Sequence, residues 1–201
     1  MESNVVSIPN CVKYGYSASQ MCTCKGTKYS CGIGCLYYDS PIVTTDPDKT
    51  FVPIQDVKPG LVLSNGAIVK KVVIYECDYT TMCLFGNCIY VTPWHPVLVG
   101  TEWKMPIDLY PTTYQKYGNV CNLVLEPGYN SFPVFNNITG EQHMFVSMGH
   151  CMEEPIHKYW GTTNVLNDLV LQPEYDSGII KIKNARYLRD ENGEVVKMIT
   201  E

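Results

Sequence analysis

No apolar stretch in this 201-residue sequence approaches the roughly 20 residues that a membrane-spanning helix requires. Clustered positive charge is missing too, because the net charge is −5 and two basic residues are adjacent only at Lys70-Lys71. We therefore expect neither a helical membrane span nor a nucleic-acid-binding surface. The first residues, Met1 to Asn4, include an acidic side chain and precede no apolar run, so they do not resemble a signal peptide. This pattern predicts a cytoplasmic location.

Cysteine, by contrast, is abundant. In the absence of an export signal, such residues are expected to stay reduced, to bind metal or to act in catalysis rather than to form a disulfide scaffold. Residues 1–34 contain four of the cysteines among Ser, Gly and Thr and show little apolar periodicity, so they are predicted to form an irregular lead segment. The ten cysteines are Cys11, Cys22, Cys24, Cys31, Cys35, Cys77, Cys83, Cys88, Cys121 and Cys151.

From Leu36 onward, short β-branched runs alternate with turn-forming residues, which is typical of an all-β domain. Turns are predicted where Pro, Gly and Asn cluster, at residues 58–60, 64–66 and 126–128. The apolar runs are Pro41–Thr44, Leu61–Leu63, Ile68–Tyr75, Val97–Val99 and Val120–Leu125.

The C-terminal part of the sequence has a different pattern. One short helix is predicted over Thr163–Leu171, opened by a threonine cap. A hairpin is predicted next, with one strand over Ile179–Leu188 and the other over Glu194–Ile199, joined by a turn at residues 190–193.

A faint internal repeat is also present. Pro41-Ile42-Val43 leads to a Pro-Ile-x-Asp string at residues 53–56, and Pro96-Val97-Leu98 leads to a Pro-Ile-Asp string at residues 106–108. Chance similarity explains two such strings as well as duplication does. If the halves are duplicated, however, the segments just before the two prolines, which hold Cys35 and His95, occupy matching positions about a central cleft.

Gly34-Cys35 and the box Thr92–His95 together supply what is needed to cleave a peptide bond. Cys35 offers a thiol, whose thiolate form is the nucleophile. Gly34 puts no side chain in its path and tolerates unusual backbone angles, so strain at this peptide would favour its conversion to a thioester. His95 titrates near neutral pH and suits protonation of the leaving nitrogen. Thr92 can orient the peptide or stabilise an oxyanion.

Each of these residues taken singly also fits an ordinary structural role. A lone cysteine in a β core commonly behaves as a small buried hydrophobe. A lone histidine beside Trp94 commonly packs as an aromatic ring. The ordered combination of Cys35, Thr92 and His95 is what favours chemistry.

This ordered set resembles the Hint superfamily, which comprises hedgehog autoprocessing domains and inteins. More narrowly it is similar to the Vint branch, the Hint domains found after von Willebrand A domains. The resemblance covers roughly residues 35–201. The segments that carry it are Cys35–Val43, Val52–Gly60, Thr92–Val97, Trp103–Leu109, Val120–Leu125, Phe145–His150, His157–Thr162 and Gly193–Met198.

The resemblance implies a mostly β fold, a horseshoe of two pseudo-duplicated halves with a short C-terminal helix and a hairpin as an extension. It divides the chain into the lead segment at residues 1–34, a Hint core at residues 35–150, and a Vint-type extension at residues 151–201 that packs on the core. The lead segment is the candidate leaving part.

The resemblance also implies residue roles. Cys35 becomes the nucleophile of an N-to-S acyl shift at the scissile Gly34–Cys35 bond, assisted by Thr92 and His95. Hedgehog-type domains use in addition an acidic residue on the strand before the Thr-x-x-His box. That position falls at Asp78 or one residue earlier at Cys77, and Asp78 fits a solvated turn residue equally well.

The end of the core departs from the intein pattern. Where inteins have His-Asn before a new Cys, Ser or Thr, this chain has Gly149-His150-Cys151. His150 is thus a candidate site residue, but no asparagine follows it to cyclise. Ordinary splicing is therefore not expected. A thioester would instead be resolved by water, a thiol, an amine or another nucleophile, with the chain's own N-terminal segment as substrate and with no cofactor.

Two other functions remain open on the sequence. Cys22, Cys24, Cys31 and Cys35 are four thiolates that would suit a zinc site, although their spacing is less regular than that of paired Cys-x-x-Cys knuckles. A zinc-bound Cys35 would be a poor nucleophile. The chain would alternatively be an inactive Hint fold that serves as a binding or structural domain.

Overall fold

The computed structural model describes residues 5–6, 34–149, 159, 162–183, 185–190 and 195–199. Over these ranges the chain is mostly β-structure, which confirms the predicted fold class. The helices are α1 (Pro106–Leu109) and α2 (Thr163–Val170), with short 3₁₀ helices at Ile54–Asp56 and Tyr175–Ser177. The strands are β1 (Val5–Val6), β2 (Leu36–Tyr37), β3 (Pro41–Val43), β4 (Phe51–Pro53), β5 (Val69–Glu76), β6 (Tyr79–Phe85), β7 (Ile89–Val91), β8 (Val97–Val99), β9 (Glu102–Lys104), β10 (Thr113–Tyr117), β11 (Val120–Leu125), β12 (Ser131–Phe135), β13 (Gln142–Val146), β14 (Ile179–Lys183), β15 (Arg186–Arg189) and β16 (Val195–Ile199).

In the described part of the chain the strands form a large sheet, a smaller sheet and a hairpin. The large sheet has the order β1-β10-β6-β7-β2-β11-β5-β14, and the smaller sheet has the order β4-β3-β12-β13-β8-β9. The remaining strands, β15 and β16, pair with each other.

Strand order in both sheets carries the signature of a duplication. The six central strands of the large sheet have the order β10-β6-β7-β2-β11-β5. This order reads backwards when β2 is exchanged with β7, β5 with β10 and β6 with β11. The strand order of the smaller sheet also reads backwards when β3 is exchanged with β8, β4 with β9 and β12 with β13. Each half also has a hairpin followed by a short helix, at Ile54–Asp56 in one and at Pro106–Leu109 in the other. The faint Pro-Ile repeat of the sequence thus marks equivalent elements.

The large sheet is buried on both faces at its centre, around β11. Successive side chains of a strand point to opposite sides, so the two faces of β11 pack into two different cores. On β11, Cys121, Leu123 and Leu125 join the core between the two sheets. Val120 and Val124 point the other way, into a second core that the C-terminal elements complete with Leu169 and Met198, among others. A strand with two buried faces is expected to be continuously apolar, and β11 is fully buried along its length.

The predicted C-terminal helix is confirmed as α2, whose N-cap is Thr162, with the side-chain oxygen accepting a hydrogen bond from the Asn164 backbone N–H. The predicted hairpin is wrong in its first strand. The segment splits into β14, which ends at Lys183 and pairs in parallel with β5, and β15, which begins at Arg186 and pairs with β16. Alternation of buried Ile180 and Ile182 with exposed neighbours specifies a strand but not its partner.

Asp168 on α2 joins the helix to the hairpin that follows it in sequence. Its Oδ2 accepts a hydrogen bond of 2.7 Å from the Tyr159 hydroxyl and one of 2.9 Å from the Met198 backbone N–H. Tyr159 is fully buried, and burial together with Asp168 raises the pKa of its hydroxyl. Both donors would lose this hydrogen bond without the carboxylate.

Replacing Asp168 by alanine is expected to lower the free energy of unfolding by about 2–3 kcal/mol, because two buried donors lose a hydrogen bond to a charged acceptor. Urea denaturation would measure the change. Asp176→Ala is the matched control, since Asp176 is an exposed aspartate of the neighbouring 3₁₀ helix. The control should stay within about 0.5 kcal/mol of the wild type. Equal losses in both variants would contradict the assignment.

Among the described residues, no helix combines the length and the apolar character that crossing a membrane demands.

Candidate functional site

Strand pairing places Cys35 between two other strands of the large sheet. β2 lies between β7 and β11, with Leu36 opposite Val91 on one side and opposite Cys121 on the other. One step further along these antiparallel registers, Cys35 stands beside Thr92 on one flank and Asn122 on the other. Thr92 is 57 positions from Cys35 in sequence, and Asn122 is 88 positions from Gly34, to which it hydrogen-bonds.

Thr92 holds the peptide that the sequence singled out. The Cys35 backbone N–H donates a 2.8 Å hydrogen bond to Thr92 Oγ1. In return, the Thr92 hydroxyl and the Thr92 backbone N–H both donate to the Cys35 carbonyl oxygen, at 3.2 and 2.9 Å. The proton of the hydroxyl thereby points toward the Cys35 carbonyl oxygen, and a lone pair points toward the Cys35 nitrogen. Thr92 is 1% exposed, so water does not compete for these bonds.

His95 lies against Gly34. A Cβ built on Gly34 would sit 3.5 Å from His95 Cγ, which is ordinary van der Waals distance. The imidazole is buried, and it meets Phe145 edge-on with ring centroids 5.5 Å apart. The histidine therefore flanks the acyl side of the Gly34–Cys35 bond.

The tautomer of His95 follows from its surroundings. Nε2 lies 2.8 Å from the Val146 carbonyl oxygen, which can only accept, so Nε2 carries the proton in the neutral ring. Nδ1 then carries the lone pair. Among the described residues it makes no hydrogen bond of standard geometry, although the Cys35 backbone lies close enough to act on the ring. Burial lowers the pKa of His95 to about 4, although the Val146 carbonyl and the Cys35 backbone oppose this shift. At neutral pH the ring is an uncharged base.

The low pKa of His95 predicts a loss of stability in acid. An unfolded histidine has a pKa near 6.5, against about 4 in the fold, so the unfolded state binds more protons between these values. Stability is therefore fully present above about pH 6.5 and falls as pH drops toward 4, by up to about 3 kcal/mol.

Urea denaturation at about pH 7 and about pH 4.5 would test this expectation. His95→Gln should remove most of the acid loss, since a glutamine amide can still donate to the Val146 carbonyl but does not titrate. His143→Gln is the matched control: burial also lowers the pKa of His143, but this side chain is partly exposed. If the wild type and His95→Gln lose the same amount of stability in acid, the prediction is contradicted.

The Cys35 thiol faces the second core, away from the smaller sheet. Cys35 is fully buried and free, and it shares this core with Tyr75 of β5 and with Met198 of the C-terminal hairpin. Burial, with a smaller contribution from the neighbouring Cys121, raises the pKa of the Cys35 thiol well above its ordinary value. In this conformation the thiol is protonated at neutral pH.

Asn122 is the contact that sequence reasoning missed. Its Nδ2 donates a 2.5 Å hydrogen bond to the Gly34 carbonyl oxygen, the acyl oxygen of the candidate scissile bond. A signal was present, because Asn122 is the single polar side chain in the buried run Val120–Leu125. An amide in a doubly buried strand must have a partner there, and this requirement marks the position.

The sequence model of the Vint family, a Hint domain, matches residues 34–198, which is most of the chain. The chain belongs to the Vint family of Hint domains. No curated protein matches its sequence.

Membership in this family places the chain among domains of the self-processing type. The match begins at Gly34, the residue before the candidate nucleophile. In this Vint domain Gly34 does not use the left-handed backbone region that only glycine enters easily. An alanine would also fit beside His95.

Three further residues were candidates for the site, namely Asp78, Cys77 and His150. Asp78 is exposed in the turn between β5 and β6. Cys77, at the end of β5, carries a disulfide, in contrast to the reduced thiols expected from the sequence. His150 lies outside the described residues.

The zinc alternative depends on residues beyond this site. Cys22, Cys24 and Cys31 lie outside the described residues. Within the ranges that the structure describes, no cluster of three or more His, Cys, Asp or Glu side chains is arranged to hold a metal ion.

Proposed function

We propose that this Vint domain processes itself by an N-to-S acyl shift at the Gly34–Cys35 bond, followed by attack of a second nucleophile on the resulting thioester. The observation that carries the proposal is the set of side-chain contacts to this one peptide bond. Its carbonyl oxygen accepts from Asn122 and its N–H donates to Thr92 Oγ1, while His95 packs against Gly34. Three side chains, from two segments that are both distant from Cys35 in sequence, thus converge on one backbone bond beside a free thiol.

The acyl shift needs no outside reactant. The Cys35 sulfur attacks the Gly34 carbonyl carbon and forms the new S–C bond, while the carbonyl electron pair moves to oxygen. When that pair returns, the C–N bond breaks and the Cys35 nitrogen leaves as an amine. The proton lost by the thiol ends on this nitrogen. The product is an isomer of the starting chain, with a thioester at Gly34 and a free amino group on Cys35.

His95 suits the transfer of that proton. In the proposed reaction the Cys35 thiol turns out of the second core toward the Gly34 carbonyl carbon. The unprotonated Nδ1 then takes the thiol proton, because a neutral ring at physiological pH is a base. The protonated ring is then a strong acid in this apolar surrounding and gives the proton to the departing nitrogen. Thr92 fixes the direction of the Cys35 N–H, so that the nitrogen is presented in one orientation.

The thioester is then resolved without splicing. No asparagine follows His150, so side-chain cyclisation does not release a C-terminal segment. Water, a thiol, an amine or another nucleophile attacks the Gly34 thioester carbonyl, the C–S bond breaks, and the Cys35 thiol is restored. Residues 1–34 leave as an acid or are transferred to the acceptor, and no cofactor takes part.

The closed environment of the thiol favours a second candidate, an inactive Hint fold with a binding or structural role. A fully buried thiol whose pKa is raised is a poor nucleophile until a base removes its proton. In the proposed reaction His95 meets this requirement. If the domain is inactive, the contacts to Gly34 and Cys35 serve only to pack this segment into the core.

Intact-mass spectrometry of the full 201-residue chain, with and without hydroxylamine, separates the two candidates. A thioester has the same mass as the peptide it replaces, so a nucleophile is needed to reveal it. Hydroxylamine cleaves thioesters and leaves disulfides intact during the reaction. Samples are reduced only after quenching, so that no disulfide holds cleaved parts together.

The proposed reaction would yield residues 35–201 and a fragment of residues 1–34 that ends in a hydroxamic acid at Gly34. The hydroxamate is the decisive product, because a contaminating protease would leave a carboxylate. An unchanged mass after long incubation at neutral pH would reject self-processing and leave the inactive Hint fold.

A further inference from the structure

Asn122 occupies a position that should be apolar. It lies in the middle of β11, where every residue is buried, and its own side chain is 4% exposed. A buried amide without partners would cost the fold free energy. The hydrogen bonds of this side chain therefore show what the position is used for.

Both ends of the Asn122 amide are occupied. Oδ1 accepts a 2.7 Å hydrogen bond from the Leu123 backbone N–H. A backbone N–H can only donate, so this bond fixes which end of the amide is oxygen. The NH₂ group is thereby held toward the Gly34 carbonyl oxygen, which it meets at 2.5 Å. The donor is aimed before any reaction begins.

We infer that Asn122 is a catalytic residue of the acyl shift, the donor that stabilises the oxyanion at Gly34; this role rests on the proposed function. Attack by the Cys35 sulfur converts the Gly34 carbonyl oxygen into an oxyanion. A hydrogen bond to that oxygen strengthens as negative charge develops, and it is stronger in a buried site than in water. The Asn122 amide is already locked in place, so no reorganisation is needed in the transition state.

Thr92 and Asn122 then have complementary tasks on the two sides of β2. Thr92 acts on the leaving side, at the Cys35 nitrogen, and Asn122 acts on the acyl side, at the Gly34 oxygen. Each polar atom of the scissile peptide is held by one of them. The order β7-β2-β11 is what brings both to the same bond.

The test compares the rate of Gly34 hydroxamate formation in the full chain for the wild type, Asn122→Ala and Asn122→Asp. Loss of one preorganised oxyanion donor typically slows a reaction about 10²–10³-fold, and we expect that loss in Asn122→Ala. Asn136→Ala is the matched control. Asn136 is also fully buried, and its Nδ2 also donates to a glycine carbonyl, that of Gly86 at 3.0 Å.

Asn122→Asp separates catalysis from packing, because it keeps the shape of the side chain. A protonated carboxyl can still donate to the Gly34 oxygen, whereas a carboxylate repels an oxyanion. The rate of Asn122→Asp relative to the wild type should therefore rise as pH is lowered through the pKa of the introduced carboxyl, which burial raises. A merely structural role would not give this titration. Circular dichroism at each pH confirms that the compared samples are folded.

The outcomes are distinct. Slow hydroxamate formation in Asn122→Ala, with a normal rate in folded Asn136→Ala and an acid-dependent gain in Asn122→Asp, supports the inference. A folded Asn122→Ala as fast as the wild type overturns the role of Asn122 and leaves the proposed function standing. If Asn122→Ala fails to fold, the pH profile of Asn122→Asp decides, and a flat ratio overturns the inference. Absence of hydroxamate in the wild type overturns the inference and the proposed function together.

Discussion

Cys35→Ala is expected to give no Gly34 hydroxamate at all. The sulfur of Cys35 is the atom that forms the new bond, and alanine offers no nucleophile in its place. The fold should persist, because alanine is a smaller apolar residue at a buried apolar position. The measurement is intact mass after incubation with hydroxylamine and subsequent reduction.

Cys121→Ala provides the matched control for this result. Cys121 is also buried and free, and burial raises its pKa to about 12. It lies on the strand next to Cys35 but contributes to the core between the two sheets. Cys121→Ala should therefore form the hydroxamate at the wild-type rate. Cleavage that continues in Cys35→Ala would reject Cys35 as the nucleophile.

His95→Gln is expected to slow the acyl shift about 10²–10⁴-fold, the range typical of losing a positioned general acid–base. A glutamine amide can still donate to the Val146 carbonyl, so the hydrogen bond that His95 makes there is preserved. What it cannot do is accept a proton from the thiol and return it to the Cys35 nitrogen. The same hydroxylamine assay measures the rate.

His143→Gln is the control for this second expectation. His143 lies on β13 with partial exposure, and its ring meets Phe85 edge-on at 5.0 Å, with no contact to Gly34 or Cys35 among the described residues. Its variant should process at the wild-type rate. Should His95→Gln also keep that rate, His95 would be a packed aromatic and not the proton carrier.

The two expectations for His95 have one physical origin. Burial among Phe132 and Phe145 keeps the ring neutral at physiological pH, which makes Nδ1 available as a base. The same burial makes protonation costly, so the fold weakens in acid. A single variant, His95→Gln, should therefore lose processing and gain acid tolerance. Observing only one of these changes would separate the catalytic from the structural role of the ring.

Much of the fold could be read from local patterns. The apolar run at Val120–Leu125 became β11, the run at Ile68–Tyr75 became β5 within one residue, and Thr162 caps the predicted helix. These predictions succeeded because side-chain alternation and capping are local properties of the chain. Leu61–Leu63 formed only isolated bridges, with no named strand, since a short apolar run does not guarantee a continuous partner.

Pairing between distant segments was not accessible in the same way. The strand predicted over Ile179–Leu188 divides between two sheets, because β5 offers it an open edge about one hundred residues away. The alternation of Ile180 and Ile182 is equally compatible with a hairpin. Only the packed structure shows which edge is free.

By itself the sequence determined the class of fold, the thiol of Cys35 and the box from Thr92 to His95, since a nucleophile and a short motif are defined by residue type and close spacing. The tertiary structure alone decided that Asn122 reaches the Gly34 oxygen, that Nδ1 of His95 is unprotonated, and that C-terminal strands bury the thiol. These features depend on β2 lying between β7 and β11. Strand order joins residues far apart in the chain, and the chain's local patterns do not encode which strands will meet.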